Sequence, residues 1–221
     1  MGKAYRVLGN ADSPDWLQLR HSHITATEVG VLMGLSPFKS RDQLLEEKRA
    51  SEPTTLEDNR FLLWGKLCEE INMAATADFL GTRARGTHVM LESTVCPRVS
   101  CTLDGLVKAP SSPVEPRLAW TRSSPRSGWV KRLREALEGV SGQMGVLEMK
   151  QTGERNRSKW TDGPPEHYWA QVQTQLFVTG KPWAILSGRV GTADLICHFI
   201  PSDPIFHEEL VDAVTKFWED V

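Results

Sequence analysis

The chain of 221 residues is 40% hydrophobic and 24% charged, as in ordinary soluble globular proteins, and its length favours one domain over residues 1–221. No apolar run reaches the ~18 residues of a membrane span, and the first residues lack a signal peptide, so we expect no membrane association and a cytoplasmic location. The net charge of −2 excludes an argument for nucleic-acid binding from overall charge, so such binding would need local basic patches.

Two short helices are predicted near the start of the chain. Thr25 and Glu28 have the spacing of a capping box, and the apolar run that follows them closes at Gly34. Ser40 and Gln43 repeat the same start signal before a second apolar run.

A longer helix is predicted from about Glu57 to Leu80, with Gly81 ending it. The prediction rests on apolar residues that recur at helical spacing in one stripe, namely Trp64, Leu67, Cys68, Ile71 and Ala75. Glu69 and Glu70 both flank this stripe, so periodicity alone does not choose which of them faces a site.

Three strands are predicted next along the chain. Residues 87–95 and 98–107 have strand composition and are separated by Pro97, and residues 145–150 form a third apolar run.

The last part of the chain predicts a helix, a hairpin and a closing helix. The first helix opens at Pro164-Pro165 and runs to Gly180, and the hairpin covers residues 183–200 with its turn at Gly191-Thr192. Residues 203–221 predict the closing helix.

Residues 109–144 predict a surface insertion between the second and third strands, because the segment begins rich in proline and serine. Its tryptophans, Trp120 and Trp129, would either stack on bases or fold back onto the domain. Two basic patches occur here and later, and either a DNA contact or a solvated surface explains them: Arg117, Arg122, Arg126, Lys131, Arg132 and Arg134, then Arg155, Arg157 and Lys159.

An acid and a base stand two residues apart in the third strand. Alternate strand side chains point to one side, so Glu148 and Lys150 share a face while Leu147 and Met149 face the core. With Asp104 from a neighbouring strand, Glu148 would form an oxygen site suited to Mg²⁺, and the lysine would keep both carboxylates ionised and orient water. A Glu-x-Lys triplet by itself more often marks a salt-bridged strand.

Five sequence blocks together are more specific than the triplet. In this order they resemble the lambda-exonuclease or YqaJ-like recombination nucleases of the PD-(D/E)xK superfamily: WLQLR with ITAT (16–27), WGKLCE (64–69), CTLDGL (101–106), LEMK (147–150) and YWAQVQ (168–173). The chain departs from the family pattern at Leu103, where the family has proline, and at Thr102 and Thr27, where it has serine. The distance in sequence between Asp104 and Glu148 is also longer, and the insertion supplies the excess.

The resemblance implies an α/β fold with a restriction-endonuclease-like core, a central mixed β-sheet flanked by helices. It implies a 5′-to-3′ exonuclease on linear double-stranded DNA that depends on Mg²⁺, with Mn²⁺ as a substitute, and that leaves 3′ overhangs for phage-type recombination. The expected partners are double-stranded DNA ends, a single-strand annealing protein and further copies of the chain in a ring-shaped homo-oligomer, by resemblance a trimer. The resemblance also implies independence of ATP, and the lack of a nucleotide-binding glycine-rich loop in the sequence agrees with this.

The resemblance also implies roles for individual residues. Metal would bind Asp104, Glu148 and the backbone carbonyl of Met149, with Glu69 contributing from its helix. Lys150 would position the attacking water and Gln171 would assist it.

A second set of residues would bind DNA. By resemblance, Arg20, Thr27 and Thr102 would hold the 5′-phosphate of a DNA end. An arginine fork, hydroxyls and a helix N-terminus are physically suited to that anion.

Several alternatives stay open from the sequence. The stripe of Tyr168, Gln171 and Gln175 would face either solvent or the metal cleft. His21 and His23 are not expected to be metal ligands, and the four cysteines are expected to be free thiols without an iron–sulfur cluster. The chain would be an exonuclease, an endonuclease on the same core, or a catalytically inactive DNA-end-binding protein.

Overall fold

The structure is a computed structural model that describes residues 4–11, 13–53, 60–111, 116–124, 127–192 and 194–221, and only the backbone at 61 and 62. Its strands are β1 (Tyr5–Asn10), β2 (Ile24–Thr25), β3 (Ala84–Gly86), β4 (Val89–Ser93), β5 (Val99–Thr102), β6 (Gly105–Lys108), β7 (Met144–Thr152), β8 (Trp183–Val190) and β9 (Asp194–Pro201). Its helices are α1 (Trp16–His21), α2 (Ala26–Leu32), α3 (Arg41–Arg49), α4 (Arg60–Phe79), α5 (Gly128–Gly139), α6 (Arg157–Thr161), α7 (Glu166–Thr179) and α8 (Pro204–Asp220). None of these described helices is both long and apolar enough to span a membrane.

The strands form two mixed sheets, in the orders β1-β4-β5-β2 and β3-β6-β7-β8-β9. In the larger sheet, β7 pairs antiparallel with β6 and parallel with β8. Helices cover both faces of this sheet. Glu148 of β7 bonds to α7, whereas Ser187, which is paired with the next residue of β7, bonds to Thr76 of α4 at 2.7 Å. Because successive strand residues point to opposite faces, α4 and α7 lie on opposite sides.

The predicted helix signals are confirmed at several ends. Helices α2 and α3 begin after Thr25 and Ser40 with the predicted capping boxes, and Gly34 just past α2 has a φ of 71°. Helix α7 ends at Gly180 with a φ of 64°, a conformation that glycine adopts without a steric cost. The predicted hairpin is β8 and β9, with Gly191 at its turn. The predicted start of the long helix at Glu57 lies outside the described residues.

The predicted single strand over residues 98–107 is wrong, because the chain changes sheets within it. Strand β5 ends in the smaller sheet, and β6 begins in the larger one at Gly105. A side chain at Gly105 would place its Cβ 2.7 Å from the carbonyl oxygen of Arg85, so the crossing brings two backbones into close contact. Leu103 and Asp104 form the link between the sheets, which places the Asp104 carboxylate at a junction.

The predicted apolar stripe of α4 is only partly right. Trp64, Leu67 and Ile71 are 60%, 70% and 62% exposed. The buried face is rotated by about one residue and mixes apolar with polar side chains, namely Cys68, Asn72, Ala75, Thr76 and Phe79. Polar groups are admitted here because the opposing strand offers them partners, such as the Ser187 hydroxyl for Thr76.

The segment predicted as a surface insertion contains a helix that packs on the core. Helix α5 buries Trp129, whose ring lies 6.0 Å from that of Phe79. Trp120 stays 38% exposed, and its Nε1 donates to Asp78 at 2.6 Å. The two tryptophans therefore contact their own domain. The boundaries of the insertion stay a prediction, since residues 112–115 lie outside the described residues.

Ion pairs neutralise part of the two predicted basic patches. Arg117 pairs with Asp78 at 2.6 Å, and Arg122 pairs with Glu154 at 3.0 Å. Arg157 bonds to both Glu154 and the buried Asp194. Arg126 lies outside the described residues.

Candidate active site

Glu148 lies on the central strand β7 and is only 1% exposed. Its Oε1 accepts hydrogen bonds from Gln171 Nε2 at 2.6 Å and from Lys150 Nζ, and its Oε2 accepts one from Gln175 Nε2 at 2.6 Å. Glu148 and Lys150 therefore meet on the face that strand alternation predicts. Hydrogen bonds to a charged acceptor are stronger than those between neutral groups, and these three offset the cost of burying a carboxylate.

Two glutamines one turn apart on α7 hold this carboxylate. Gln171 is 6% exposed and Gln175 is fully buried, so the polar stripe of α7 faces the cleft rather than solvent. Gln175 was not among the predicted site residues, although its spacing of four from Gln171 was the signal that could have identified it. Among the described residues, the Gln175 Oε1 has no hydrogen-bond partner.

Asp104 approaches β7 from the junction between the sheets. Its Oδ2 accepts a hydrogen bond from the backbone N–H of Met149 at 2.8 Å. The Met149 amide is free to bond to Asp104 because β6 begins only at Gly105, which lies opposite Leu147. Strand β6 therefore does not extend far enough to pair with Met149, whose amide points to the same edge of β7. The N–H and C=O of one strand residue point to the same edge, and the Met149 carbonyl therefore faces Asp104 as well.

The charges of the cleft are unbalanced towards the negative. Burial and then the nearby Glu148 raise the pKa of Asp104 to about 8, against the opposing effects of Lys150 and the Met149 amide. Burial lowers the pKa of Lys150, but Glu148 and Asp104 outweigh it and leave this pKa raised. Lys150 is thus held as an ammonium, with Nζ 5.1 Å from the centre of the Tyr168 ring.

Glu69 adds a third carboxylate from α4. Burial raises its pKa, His88 opposes the shift, and Glu148 adds to it, which places Glu69 within electrostatic reach of the cleft. Its Oε1 lies 3.4 Å from His88 Nδ1 and has no hydrogen-bond partner among the described residues. Glu70 is exposed and Glu69 is half-buried. The structure therefore identifies Glu69, rather than Glu70, as the acid near the cleft, which helical periodicity alone could not decide.

This donor set fits a divalent cation. Asp104 and Glu148 supply carboxylate oxygens and Met149 a carbonyl, the hard ligands that Mg²⁺ takes. Burial is the main cause of the raised pKa values of Asp104 and Glu69, and the charge of Glu148, which a bound cation would offset, adds to both. Within the described part of the chain, no three His, Cys, Asp or Glu side chains stand close enough together to ligate one metal ion. A cation would therefore rest on two carboxylates, the carbonyl and water.

The predicted phosphate-binding residues lie on α1, α2 and β5. The Arg20 guanidinium stacks on the Trp16 ring, 4.8 Å from its centre. Thr27 is exposed in the first turn of α2, and Thr102 is the half-buried last residue of β5. Strand β2, which leads into α2, pairs in parallel with β5, with Thr25 opposite Ser100. The start of α2 and the end of β5 therefore lie at the same edge of the smaller sheet.

A buried lysine joins the helices that carry Arg20 and Thr27. Lys48 of α3 is 7% exposed, and its Nζ donates to the carbonyl of Arg20 at 2.8 Å and pairs with Glu28 at 3.0 Å. Sequence reasoning missed Lys48, because no local pattern distinguishes it from the other charges of α3.

The model of the YqaJ-like viral recombinase domain matches residues 15–182, most of the chain. This chain belongs to that family. The curated relative "Uncharacterized protein YqaJ" of Bacillus subtilis is 22% identical over 213 residues, which is 93% of this chain and 55% of the relative. The chain thus spans about half the length of this relative.

Two solved exonucleases share the fold of this chain. An alkaline exonuclease (LHK-Exo) from Laribacter hongkongensis is 17% identical, with a TM-score of 0.66 over 94% of this chain and 92% of that one. A complex of LHK-Exo with dAMP gives the same values. A phage related exonuclease from Haemophilus somnus 129PT is 10% identical, with a TM-score of 0.55 over 91% and 96% of the two chains. The predicted family and the predicted restriction-endonuclease-like α/β core are confirmed.

Proposed function

We propose that this protein is a metal-dependent, ATP-independent exonuclease that removes nucleotides from the 5′ strand of linear double-stranded DNA and leaves 3′ overhangs. The observation that carries the proposal is the buried carboxylate of Glu148, which accepts hydrogen bonds from the Lys150 ammonium and from two glutamine amides. Beside it lies Asp104, whose pKa is raised. A salt-bridged strand of purely structural use would not need Asp104, a second carboxylate beside the same ammonium. The family and the exonuclease fold support the same activity.

Each group of the cleft has a chemical task in phosphodiester hydrolysis. Asp104, Glu148 and the Met149 carbonyl would hold Mg²⁺ or Mn²⁺, which when bound neutralises phosphate charge and favours ionisation of water. Lys150 orients the attacking water and its ammonium also meets the negative charge that grows on the phosphate. The water oxygen bonds to phosphorus, and the bond from phosphorus to the 3′ oxygen breaks, with a proton passing to that oxygen.

The glutamines fix the carboxylate during this reaction. Gln171 and Gln175 each donate to one oxygen of Glu148, so the carboxylate keeps its orientation when Lys150 turns towards substrate. Both amides are rigidly placed in a helix that packs against both sheets. We expect Gln171 to lie nearer to substrate, because it is the more exposed of the two.

The 5′-to-3′ direction rests on Arg20, Thr27 and Thr102 as a site for a terminal 5′-phosphate. Cleavage at the 3′ oxygen releases a 5′-mononucleotide and leaves a new 5′-phosphate on the shortened strand. Each turnover would thus regenerate the group that Arg20 binds. The same proposal includes a single-strand annealing protein as partner, a ring-shaped homo-oligomer and action in the cytoplasm of a bacterial host.

A digestion assay tests the proposed function. Linear and circular duplexes of the same sequence are incubated with Mg²⁺, with Mn²⁺ and with a chelator. The proposal predicts loss of linear DNA from its 5′ ends in either metal and no loss in chelator. Cutting of the circle would favour an endonuclease, and retention of DNA without cleavage in any metal would favour an end-binding protein.

A further inference from the structure

Lys48 is a charged residue in the interior that the reaction above does not use. Its ammonium lies within hydrogen-bond distance of four oxygens, the carbonyls of Arg20 and His23 at 2.8 and 2.7 Å and the Glu28 oxygens at 3.0 and 3.1 Å. An ammonium has three N–H donors. Two donors serve the carbonyls and the third serves the carboxylate, so every donor of Lys48 is used.

These partners sit at the two helix ends that carry the proposed phosphate ligands. The carbonyl of Arg20 belongs to the last turn of α1, where helix carbonyls have no partner within the helix. Glu28 belongs to the first turn of α2, and its Oε2 accepts hydrogen bonds from the Thr25 amide and hydroxyl, both at 2.9 Å. One ammonium therefore fixes the end of α1 and the start of α2 relative to each other.

The ion pair of Lys48 and Glu28 also affects how favourably an anion would bind nearby. Glu28 places a negative charge in the first turn of α2, and this charge would repel a phosphate bound at Arg20. Lys48 neutralises this charge. A pocket of about 120 Å³ opens beside it, lined among others by Arg20, Glu28 and Lys48, together with the ion pair of Lys39 and Glu47 at 2.6 Å.

Among the described residues that line the pocket, Arg20 is the cation without an acidic partner. Its guanidinium lies on the Trp16 ring, and in the part of the chain that the structure describes no carboxylate bonds to it. The carboxylates that line the pocket, Glu28 and Glu47, are each paired with a lysine. Among the described residues, the pocket thus offers an unpaired guanidinium and no unpaired acid.

We infer that Lys48 is a positioning residue for the binding of a 5′-terminal phosphate: it sets Arg20 against the start of α2 and removes the repulsion of Glu28. The inference rests on the proposed function. It assigns Lys48 no contact with DNA, since its donors are already used by the protein.

The test compares digestion of duplexes with a 5′-phosphate and with a 5′-hydroxyl, and the readout is the ratio of the two initial rates. Lys48→Met removes the ammonium and keeps most of the side-chain volume. We expect the ratio to fall by about tenfold, within the range of coupling between residues of one network. The double variant Glu28→Gln with Lys48→Met also removes the Glu28 carboxylate, which would otherwise lack its lysine partner. We expect its ratio of the two rates to lie between those of Lys48→Met and wild type.

The matched control is Arg157→Met, which removes the arginine partner of the buried Asp194 at a distant place in the fold. A loss of general stability acts on both substrates alike, so this variant should keep the wild-type ratio even if its melting temperature falls as far as that of Lys48→Met. Thermal unfolding of all variants shows which of them are folded. If Lys48→Met does not fold, the double variant carries the test.

The possible results separate the inference from the proposed function. A wild-type ratio in folded Lys48→Met or in the folded double variant overturns the inference, provided that Arg20→Ala has lost the preference. A wild-type protein that digests no linear DNA, or that digests both ends equally, overturns the proposed 5′-phosphate site and the inference with it.

Discussion

The cleft around Glu148 and the pocket beside Arg20 both bury charged groups, but they balance these charges in opposite ways. In the cleft, Asp104 and Glu148 share the ammonium of Lys150, and the pKa values of Asp104 and of the neighbouring Glu69 are raised. In the pocket, Glu28 has its own lysine and the Arg20 guanidinium has no acidic partner among the described residues. The first arrangement suits an added cation and the second an added anion. A metal-dependent enzyme that holds a phosphorylated DNA end needs both.

The largest expected effect is the loss of the cleft's acidic ligand. Asp104→Asn keeps shape and removes the charge, so we expect cleavage to fall at least ~10³-fold, as expected when an essential electrostatic group is removed. The melting temperature should not drop, because burial already disfavours the ionised form of Asp104. Asp212→Asn, on the exposed face of α8, is the control. Full activity of Asp104→Asn would show that the cleft is not the catalytic centre.

The second-largest expected effect on cleavage is that of removing the Lys150 ammonium. Lys150→Met leaves Asp104 and Glu148 in place but removes the group that orients water, so turnover should fall ~10²- to 10⁴-fold. Binding of linear duplex in Ca²⁺, measured by fluorescence anisotropy, should stay near the wild-type level. If binding and turnover fall together, Lys150 contacts DNA or supports the fold instead.

Removing the spare cation of the pocket should alter the end preference. Arg20→Ala should slow digestion from 5′-phosphorylated ends by about tenfold more than from 5′-hydroxyl ends, because a guanidinium meets phosphate with paired hydrogen bonds. Arg41→Ala, which breaks the exposed pair with Asp220, should keep the preference. An unchanged preference in Arg20→Ala, or faster loss of 3′ ends, would contradict the pocket and the 5′-to-3′ direction.

The smallest effect separates two neighbouring acids on α4. Glu69→Gln should reduce cleavage several-fold and shift the metal concentration needed for half-maximal rate, since Glu69 lies within electrostatic reach of Glu148. Glu70→Gln should match the wild type, because Glu70 is exposed. Equal rates for the two variants would remove Glu69 from the site.

The cleft was more predictable from sequence than the pocket. Glu148, Lys150 and Gln171 follow from strand alternation, helical spacing and the resemblance to a nuclease family, all of which are short-range patterns. Lys48 could not be found in this way, because its partners Arg20 and Glu28 belong to other helices and lie 28 and 20 residues away along the chain. Which long-range ion pair forms depends on how the helices pack.

Two elements of the fold were also mispredicted because local sequence patterns do not reveal long-range packing. The α4 stripe of Trp64, Leu67 and Ile71 has the right period but faces outwards, because the opposing strand carries polar groups that pair with Thr76 and Cys68. The strand predicted over residues 98–107 has continuous strand composition, yet its two halves join different sheets. Composition indicates that residues are extended and does not indicate which neighbour they pair with.

Calorimetric titration of the metal-free protein with Mn²⁺ at several pH values tests most directly whether the cleft is a cation site. Asp104 has its pKa raised to about 8 and is mostly protonated below that pH, so a proton must leave before a metal can bind. The account predicts that affinity rises by up to about tenfold per pH unit below pH 8 and levels off above it. Proton release should accompany binding at pH 6.5, and Asp104→Asn should bind at least tenfold more weakly at pH 8.5. Binding that is equally tight at all pH values and in Asp104→Asn would contradict the account.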